Sequence, residues 1–218
     1  MSIFLSTPVE VSNPVIPIST FKKVVLTKHK PLVLCDIDDT VICYEKDVDY
    51  FYNFLKKNIE ATKIATAGPA NIFSSVLNGN RVEQMTDYEL KIAAHNMYYN
   101  YRISNNPKHC DYDGFIDLVE RVKTLGGELQ FLTARDREAT FITRKQFTDI
   151  GLNYDDYRVN YTGNRRISKG DYIKRYFNLG AYGEVVFIDD LDSYIKTVVD
   201  VCPSVRCYKF EYKNNREN

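Results

Sequence analysis

An apolar run that ends in a group of acidic residues constrains this 218-residue chain more than any other feature. Residues 32–35 are apolar and follow Pro31, which is typical of a short buried strand, and Asp36, Asp38 and Asp39 come next. Carboxylates this close together repel one another, and a chain tolerates them where a cation or phosphate chemistry uses them. In an open parallel sheet the carboxyl end of a strand also borders the ligand crevice. The pattern therefore indicates either a functional acidic apex or a plain acidic turn.

A calcium loop of the EF-hand type is the rival interpretation of the Asp-x-Asp-x-Thr pattern at residues 36–40. Such a loop needs glycine at its sixth position and glutamate at its twelfth. Those positions hold Val41 and Asp47. The calcium-loop interpretation is therefore rejected.

Composition narrows the choice of partner and compartment. Lysine plus arginine equals aspartate plus glutamate at 29 each, so no net charge attracts nucleic acid or an anionic membrane. Five cysteines without framework spacing favour a reducing compartment. No stretch approaches 18 consecutive apolar residues, and the N-terminus lacks the pattern of a signal peptide. We expect a cytoplasmic protein with no membrane partner, and the balanced charge disfavours a nucleic-acid partner without ruling it out.

The order of predicted elements gives the fold class. Residues 45–108 look helical, and Thr86 and Glu89 have the spacing of a capping box. From residue 109 onward, strands alternate with helices, which is typical of a parallel sheet covered on both faces. With the strand at 32–35, the other predicted strands are residues 128–132, 157–161, 185–188 and 205–210. We predict an α/β fold with a mainly parallel five-stranded sheet: an extended arm at 1–29, a core formed by 30–44 and 109–218, and a helical insertion at 45–108.

Polar residues follow three of these strands, and they are expected to meet at one edge of the sheet. The expected group contains Asp36, Asp38, Thr133, Asp189 and Asp190, with Lys169 at a loop-to-helix junction. Carboxylates suit Mg²⁺, while a hydroxyl and an ammonium suit phosphoryl oxygens. A carboxylate can also act as a nucleophile and form an aspartyl-phosphate.

Four motifs in series resemble the haloacid dehalogenase superfamily, most of whose members are phosphohydrolases. A strand followed by Asp-x-Asp-x-Thr matches residues 36–40, and a strand ending in threonine matches Thr133. A lysine that opens a helix matches Lys169, and a strand ending in paired acids matches residues 189–190. The resemblance covers roughly residues 30–210 and implies a Rossmann-like three-layer core, with residues 45–108 as the helical cap.

The resemblance also implies a role for each matched residue. Asp36 would be the nucleophile and a Mg²⁺ ligand, and Asp38 the general acid and base, its backbone carbonyl touching the metal. Thr133 and Lys169 would hold phosphoryl oxygens. Asp189 would complete the metal shell. Asp190 would bind the metal through a water molecule or orient another ligand, or it would instead cap the last helix.

The predicted activity is Mg²⁺-dependent hydrolysis of a small-molecule phosphomonoester. Asp38 argues against the dehalogenase branch, which keeps no acid there. A nucleic-acid end phosphatase and a binding module without turnover stay open as alternatives. For Arg135 and Arg137 the alternatives are contact with the substrate and, as the favoured interpretation, a solvated surface position. The tyrosines of residues 97–102 either present aromatic groups to a substrate or, as the favoured interpretation, pack within the cap. Neither the substrate nor the oligomeric state follows from the sequence.

Overall fold

The computed structural model describes residues 13–57, 86–163 and 167–212. The chain divides into two compact units. Residues 44–107 form one unit, which we call the insert, and residues 1–43 with 108–218 form the other, which we call the core unit. Within the described ranges, every helix is too short or too polar to cross a membrane.

A six-stranded sheet, in which every neighbouring pair is parallel, lies at the centre of the core unit. In spatial order its strands are β1 (Ile16–Ile18), β8 (Arg206–Phe210), β7 (Glu184–Asp189), β2 (Pro31–Cys35), β5 (Glu128–Thr133) and β6 (Arg158–Tyr161). The predicted α/β class with a parallel sheet is confirmed. The five predicted strands are all present.

The sixth strand, β1, comes from the N-terminal arm. Ile16 pairs with Tyr208 and Ile18 with Phe210. The strand signal is weak because Pro17 cannot donate a ladder hydrogen bond, a defect that an edge strand tolerates. Since β1 is the outermost strand of the sheet, its proline is compatible with the fold.

The insert contains two described helices, α1 (Val48–Lys57) and α2 (Asp87–Ser104). The predicted capping box is confirmed: the Thr86 side chain accepts a hydrogen bond from the Glu89 backbone, and the Glu89 side chain accepts one from the Thr86 backbone. Aromatic rings pack the two helices together, among them Phe51, Tyr98 and Tyr101. Within the stretch predicted to be helical, residues 58–85 lie outside the described residues.

Four helices cover the sheet of the core unit: α3 (Tyr112–Thr124), α4 (Thr140–Asp149), α5 (Lys169–Tyr176) and α6 (Asp192–Val201). Helix α3 begins at Tyr112. Its N-cap is Asp111, whose side chain accepts a hydrogen bond from the backbone N–H of Gly114 at 3.1 Å. The glycine therefore lies in the first turn of the helix rather than ahead of it.

Side chains alternate between the two faces of the sheet, and each face is buried. Leu34 and Phe187 belong to a cluster that includes Ile195 of α6 and Ile173 of α5. On the other face, Phe131 contacts rings from α3 and α4. Strand β2 is buried at all five positions, which explains why its sequence is a continuous apolar run rather than an alternating one.

A short antiparallel ladder marks the two points where the chain passes between the units. Strand β3 (Ile42–Cys43) pairs with β4 (Lys108–His109), with Ile42 opposite His109 and Cys43 opposite Lys108. We call this ladder the stem. It brings residues separated by the whole insert next to each other within the core unit.

Candidate active site

The carboxyl edge of the central strands places Asp36 beside Asp189. Cys35 of β2 is in register with Ile188 of β7, and the Asp36 backbone N–H donates to the Ile188 carbonyl at 2.9 Å. Both aspartates are buried, with 4% and 0% of their surface exposed. The register of the two parallel strands therefore places the two carboxylates side by side at the same edge of the sheet.

A tight turn after Asp36 folds the rest of the first motif back over this edge. The backbone N–H groups of Val41 and Ile42 both donate to the Ile37 carbonyl, at 3.0 and 2.8 Å. Asp39 has a φ of 58°, in the left-handed region that aspartate enters more readily than most residues. The turn brings the Thr40 hydroxyl to 3.5 Å from Oδ1 of Asp190.

Three carboxylates, two of them buried and the third, that of Asp190, partly buried, form a group that we call the acidic cluster. Asp36, Asp189 and Asp190 each offer one oxygen, and these oxygens lie within 4.8 Å of one another. Oδ1 of Asp189 also accepts from the Leu191 backbone N–H at 2.9 Å, which fixes its rotamer. Leu191, not Asp190, is the N-cap of α6. Asp190 therefore belongs to the cluster rather than to the helix cap.

Lys169 joins the acidic cluster from the first turn of α5. Its Nζ lies 2.5 Å from Oδ1 of Asp36 and 2.6 Å from Oδ2 of Asp189, and its side chain is 1% exposed. Lys174, a later lysine of the same helix, is exposed. Ser168 fixes the start of α5 by accepting from the Asp171 backbone N–H.

Close packing of α5 on α6 sets the depth of Lys169. A Cβ added at Gly170 would lie 2.0 Å from the Thr197 carbonyl oxygen of α6, closer than any side chain allows. The glycine therefore permits the approach of the two helices. Because Gly170 follows Lys169 directly, this approach also determines how far the ammonium reaches into the acidic cluster.

Burial and mutual repulsion make two members of the acidic cluster, Asp36 and Asp190, hold protons more tightly than ordinary carboxylates. Burial raises the pKa of Asp36 to about 6, with Lys169 opposing the rise and Asp189 adding to it. Burial, together with the charges of Asp36 and Asp189, raises the pKa of Asp190 to about 8. Burial alone lowers the pKa of Lys169, but its two carboxylate partners outweigh that effect and raise it above its ordinary value. The lysine is therefore positively charged at neutral pH.

The donor set of the acidic cluster fits a divalent cation. When every group is ionised, three carboxylates face one ammonium, which leaves two negative charges unbalanced. Mg²⁺ prefers oxygen ligands and is usually held by a few carboxylates together with water. A cation there would remove the repulsion that raises the pKa values of Asp36 and Asp190.

Asp38 lies at the same edge, but its carboxylate pairs with Arg135. The guanidinium donates two hydrogen bonds to Asp38, from Nε to Oδ2 at 2.9 Å and from Nη2 to Oδ1 at 2.6 Å. The Arg135 side chain is only 10% exposed, so the interpretation of this arginine as a solvated surface residue is wrong. Arg137 is exposed, as expected.

Thr133 lies at the end of β5, next to β2. It is fully buried, and it stands two residues beyond the registered pair of Cys35 and Phe131. Its hydroxyl oxygen accepts a hydrogen bond from the Arg135 backbone N–H at 3.2 Å. The structure thus brings all six residues predicted for the site to the carboxyl edge of the sheet and adds Arg135.

Comparison with solved structures shows which known fold the chain has. A candidate β-phosphoglucomutase from Thermotoga maritima superposes with a TM-score of 0.50 at 16% identity, over 86% of this chain and 88% of that one. A HAD hydrolase of family IA, variant 3, from Entamoeba histolytica gives a TM-score of 0.47 at 16% identity, over 85% and 86%. The chain has the haloacid dehalogenase-like hydrolase fold. A haloacid dehalogenase-like enzyme from Bacteroides thetaiotaomicron, in complex with magnesium and inorganic phosphate, gives 0.46 at 15% identity, over 87% and 97%.

These likenesses concern the haloacid dehalogenase-like fold alone. No protein-family model matches the chain, and no curated protein matches it either. What the site does is therefore argued from its own residues.

Proposed function

We propose that this protein is a Mg²⁺-dependent phosphohydrolase that cleaves a small phosphomonoester through an aspartyl-phosphate intermediate. The observation that carries the proposal is the buried acidic cluster around Lys169 at the carboxyl edge of the sheet. A purely structural site gains little from two buried carboxylates and a third, partly buried one beside them, because burial and repulsion both oppose their ionisation.

The acidic cluster would hold the metal through Asp36, Asp189 and Asp190, with the backbone carbonyl of Asp38 as a further ligand. When bound, Mg²⁺ would neutralise the repulsion between the carboxylates and an incoming phosphate. Ligands of this kind must be deprotonated to bind, so cation binding and proton release are coupled at this site.

Asp36 is proposed as the nucleophile. One of its carboxylate oxygens bonds to phosphorus while the bond from phosphorus to the ester oxygen breaks, and Asp38 gives its proton to the leaving alkoxide. In the second step Asp38 takes a proton from water, and the water oxygen displaces the Asp36 carboxylate from phosphorus. The products are the alcohol and inorganic phosphate. Proton transfers of this type contribute about 10²–10⁴-fold each to the rate.

Thr133 and Lys169 are proposed to bind the phosphoryl oxygens. The ammonium of Lys169 is already 2.5 Å from the carboxylate that would carry the phosphoryl group. A positive charge so placed favours the phosphorylated state as well as the attack that forms it. The buried hydroxyl of Thr133 supplies a neutral donor on the β5 side of the same edge.

Steady-state hydrolysis of a panel of phosphomonoesters with and without Mg²⁺ tests the proposal, together with trapping of acid-stable phosphoprotein. Asp36→Asn should abolish both turnover and phosphoprotein. Asp38→Asn should still form phosphoprotein from an aryl phosphate, whose leaving group needs little protonation, and should accumulate it because water activation fails.

Asp192→Asn is the matched control, because Asp192 is an exposed aspartate of α6 that pairs with Lys209 outside the acidic cluster. It should behave as wild type. The proposal is wrong if Asp36→Asn keeps wild-type activity, and a binding module without turnover gains if the wild type hydrolyses no ester in the panel.

A further inference from the structure

The pair formed by Arg135 and Asp38 is more specific than a simple ion pair. Two N–H groups of one planar guanidinium meet both oxygens of one carboxylate, at 2.9 and 2.6 Å. A bidentate contact fixes the plane of the carboxylate as well as its position, which a lysine cannot do. The arginine takes one lone pair of each carboxylate oxygen.

The guanidinium is itself held in place. Its Nη1 donates to the Thr143 hydroxyl at 2.7 Å, and that hydroxyl donates to the Ala139 carbonyl at 2.9 Å. Thr143 lies in α4 and is fully buried. The backbone of Arg135 is fixed too, because its carbonyl accepts from the Gly163 N–H at 3.1 Å. A chain of hydrogen bonds thus runs from α4 through the arginine to Asp38.

The two buried cations of the site serve different carboxylates. Lys169 contacts Asp36 and Asp189, whereas Arg135 contacts Asp38, which is not a member of the acidic cluster. Loss of Arg135 therefore removes no carboxylate from the metal site. An effect of that loss on proton transfer can be measured apart from an effect on cation binding.

We infer that Arg135, anchored by Thr143, is a positioning residue that orients the Asp38 carboxyl group for proton transfer. The inference rests on the proposed function. Asp38 must face the leaving oxygen in the first step and the attacking water in the second. With its plane set by Arg135, the carboxyl group needs no rotation between those steps, and the orientation is maintained from outside the acidic cluster.

The decisive measurement is the dependence of rate on the leaving group. Arg135→Met removes both hydrogen bonds and the charge at nearly constant volume. We expect kcat/KM to fall about 10²-fold or more with an alkyl phosphate, whose alkoxide needs the proton, and less than about tenfold with p-nitrophenyl phosphate. Arg135→Lys keeps the charge but not the bidentate contact, so it should not restore the alkyl phosphate rate. Thr143→Val, which removes only the anchor, should show the same bias at smaller size.

Arg144→Met provides the matched control. Arg144 follows the anchor Thr143 directly and forms a bidentate pair with Asp155 at 2.5 and 2.9 Å, but both side chains of that pair are exposed. This variant should leave both esters unchanged. Titration calorimetry should also show that Arg135→Met binds Mg²⁺ with wild-type affinity.

The inference is overturned if Arg135→Met slows both esters equally, which would indicate that the arginine binds the phosphate or only supports folding. Asp38→Asn separates this failure from failure of the proposed function. If Asp38→Asn shows the leaving-group bias and Arg135→Met does not, only the inference fails. If Asp38→Asn shows no bias, the assignment of Asp38 itself is wrong.

The double variant, Asp38→Asn with Arg135→Met, should be no slower on the alkyl phosphate than Asp38→Asn alone, because both changes disable the same proton transfer. Should Arg135→Met fold poorly, Thr143→Val and Arg135→Lys give the same comparison.

Discussion

Asp36 and Asp38 are two residues apart in sequence, yet each has its own cationic partner. Lys169 compensates Asp36 together with Asp189, and Arg135 compensates Asp38. A lysine gives a compact charge with three donors, which suits two carboxylates and an approaching phosphoryl group. An arginine gives a rigid fork, which suits one carboxyl group that must keep its orientation. The type of cation beside each acid therefore matches its proposed role, Asp36 as the nucleophile and Asp38 as the general acid and base.

Replacing Lys169 should expose the cost of burying the acidic cluster. Lys169→Met leaves Asp36 and Asp189 without their buried partner, and breaking such a pair costs about 3–5 kcal/mol. We expect a loss of this size in the free energy of unfolding, measured by urea denaturation without Mg²⁺, and a smaller loss with saturating Mg²⁺. Lys196→Met, which breaks an exposed pair with Asp200, is the control and should cost less than about 1 kcal/mol. Equal losses in the two variants would contradict the prediction.

The raised pKa values predict how stability changes with pH in the absence of metal. Asp190, with a pKa of about 8, and Asp36, with a pKa of about 6, bind protons more tightly in the folded protein than in the unfolded chain. Stability from these groups is fully present below pH 4 and is lost as pH rises through 6 to 8. We expect the free energy of unfolding without Mg²⁺ to fall across that window by at least about 1–2 kcal/mol. Mg²⁺ should stabilise more strongly at pH 8 than at pH 6, because protons compete with the cation.

Urea denaturation at several pH values, with Mg²⁺ and with a chelator, checks this expectation. Asp190→Asn should flatten the pH dependence without metal, whereas the exposed Asp192→Asn should preserve it. A chelated wild-type protein that becomes more stable from pH 6 to pH 8 would count against the assignment.

At the scale of elements, helix α5 determines where Lys169 lies, and Gly170 determines where α5 lies. Gly170→Ala would place a methyl group 2.0 Å from the Thr197 carbonyl oxygen, so the helices must separate. Overpacking of this kind costs about 1–3 kcal/mol. We expect a lower melting temperature and a marked loss of phosphatase activity, since the ammonium retreats with its helix.

Gly180→Ala is the control for Gly170→Ala. At Gly180 the nearest atom to an added Cβ is Oδ1 of Asn178 at 3.6 Å, an ordinary contact. This variant should keep its activity and nearly all of its stability. If both substitutions have the same effect, close packing of α5 on α6 does not control the site.

Elements with local signals were predictable from sequence, and elements set by distant contacts were not. The capping box of α2 lies within four residues. Strand β2 is recognisable in the sequence from its continuous apolar run, which matches its five buried positions. The ends of parallel strands converge by a general rule, which explains why the predicted site residues meet. By contrast, β1 has only three residues with a proline among them, and its strand character depends on pairing with β8, almost 200 positions later.

Arg135 illustrates the same limit within the site. Its position two residues after Thr133 is evident from the sequence, but its partner Asp38 is 97 residues away and its anchor Thr143 lies on helix α4. Only the fold brings the three together. A sequence pattern with an arginine two residues after the motif threonine, and a second threonine eight residues after that arginine, would have indicated part of this hydrogen-bond network.

At the scale of the whole molecule, the stem allows the role of the insert to be tested. We predict that residues 44–107 select the substrate and that the core unit carries the chemistry. Joining Cys43 to Lys108 through Asn-Gly would turn the stem into a two-residue hairpin of a favoured type. The shortened chain should fold, retain hydrolysis of p-nitrophenyl phosphate, and change its preference among larger esters.

Circular dichroism and a substrate panel check this prediction against the full-length protein. The Asp36→Asn version of the shortened chain is the control for contaminating activity. A folded, shortened protein with an unchanged substrate profile would show that the insert does not select the substrate.

The stem has a consequence for how such a chain can change over generations. Its paired strands hold the two ends of the insert about 5 Å apart whatever lies between them. The entropy of closing a loop rises by only about 0.6 kcal/mol for each doubling of its length, so replacing two residues by sixty costs about 3 kcal/mol. Recombination can therefore exchange one folded segment for another at this point while the strands of the sheet keep their register. The position between β3 and β4 is therefore a site where one folded segment can replace another. A laboratory graft of an unrelated small domain with adjacent termini should be tolerated there.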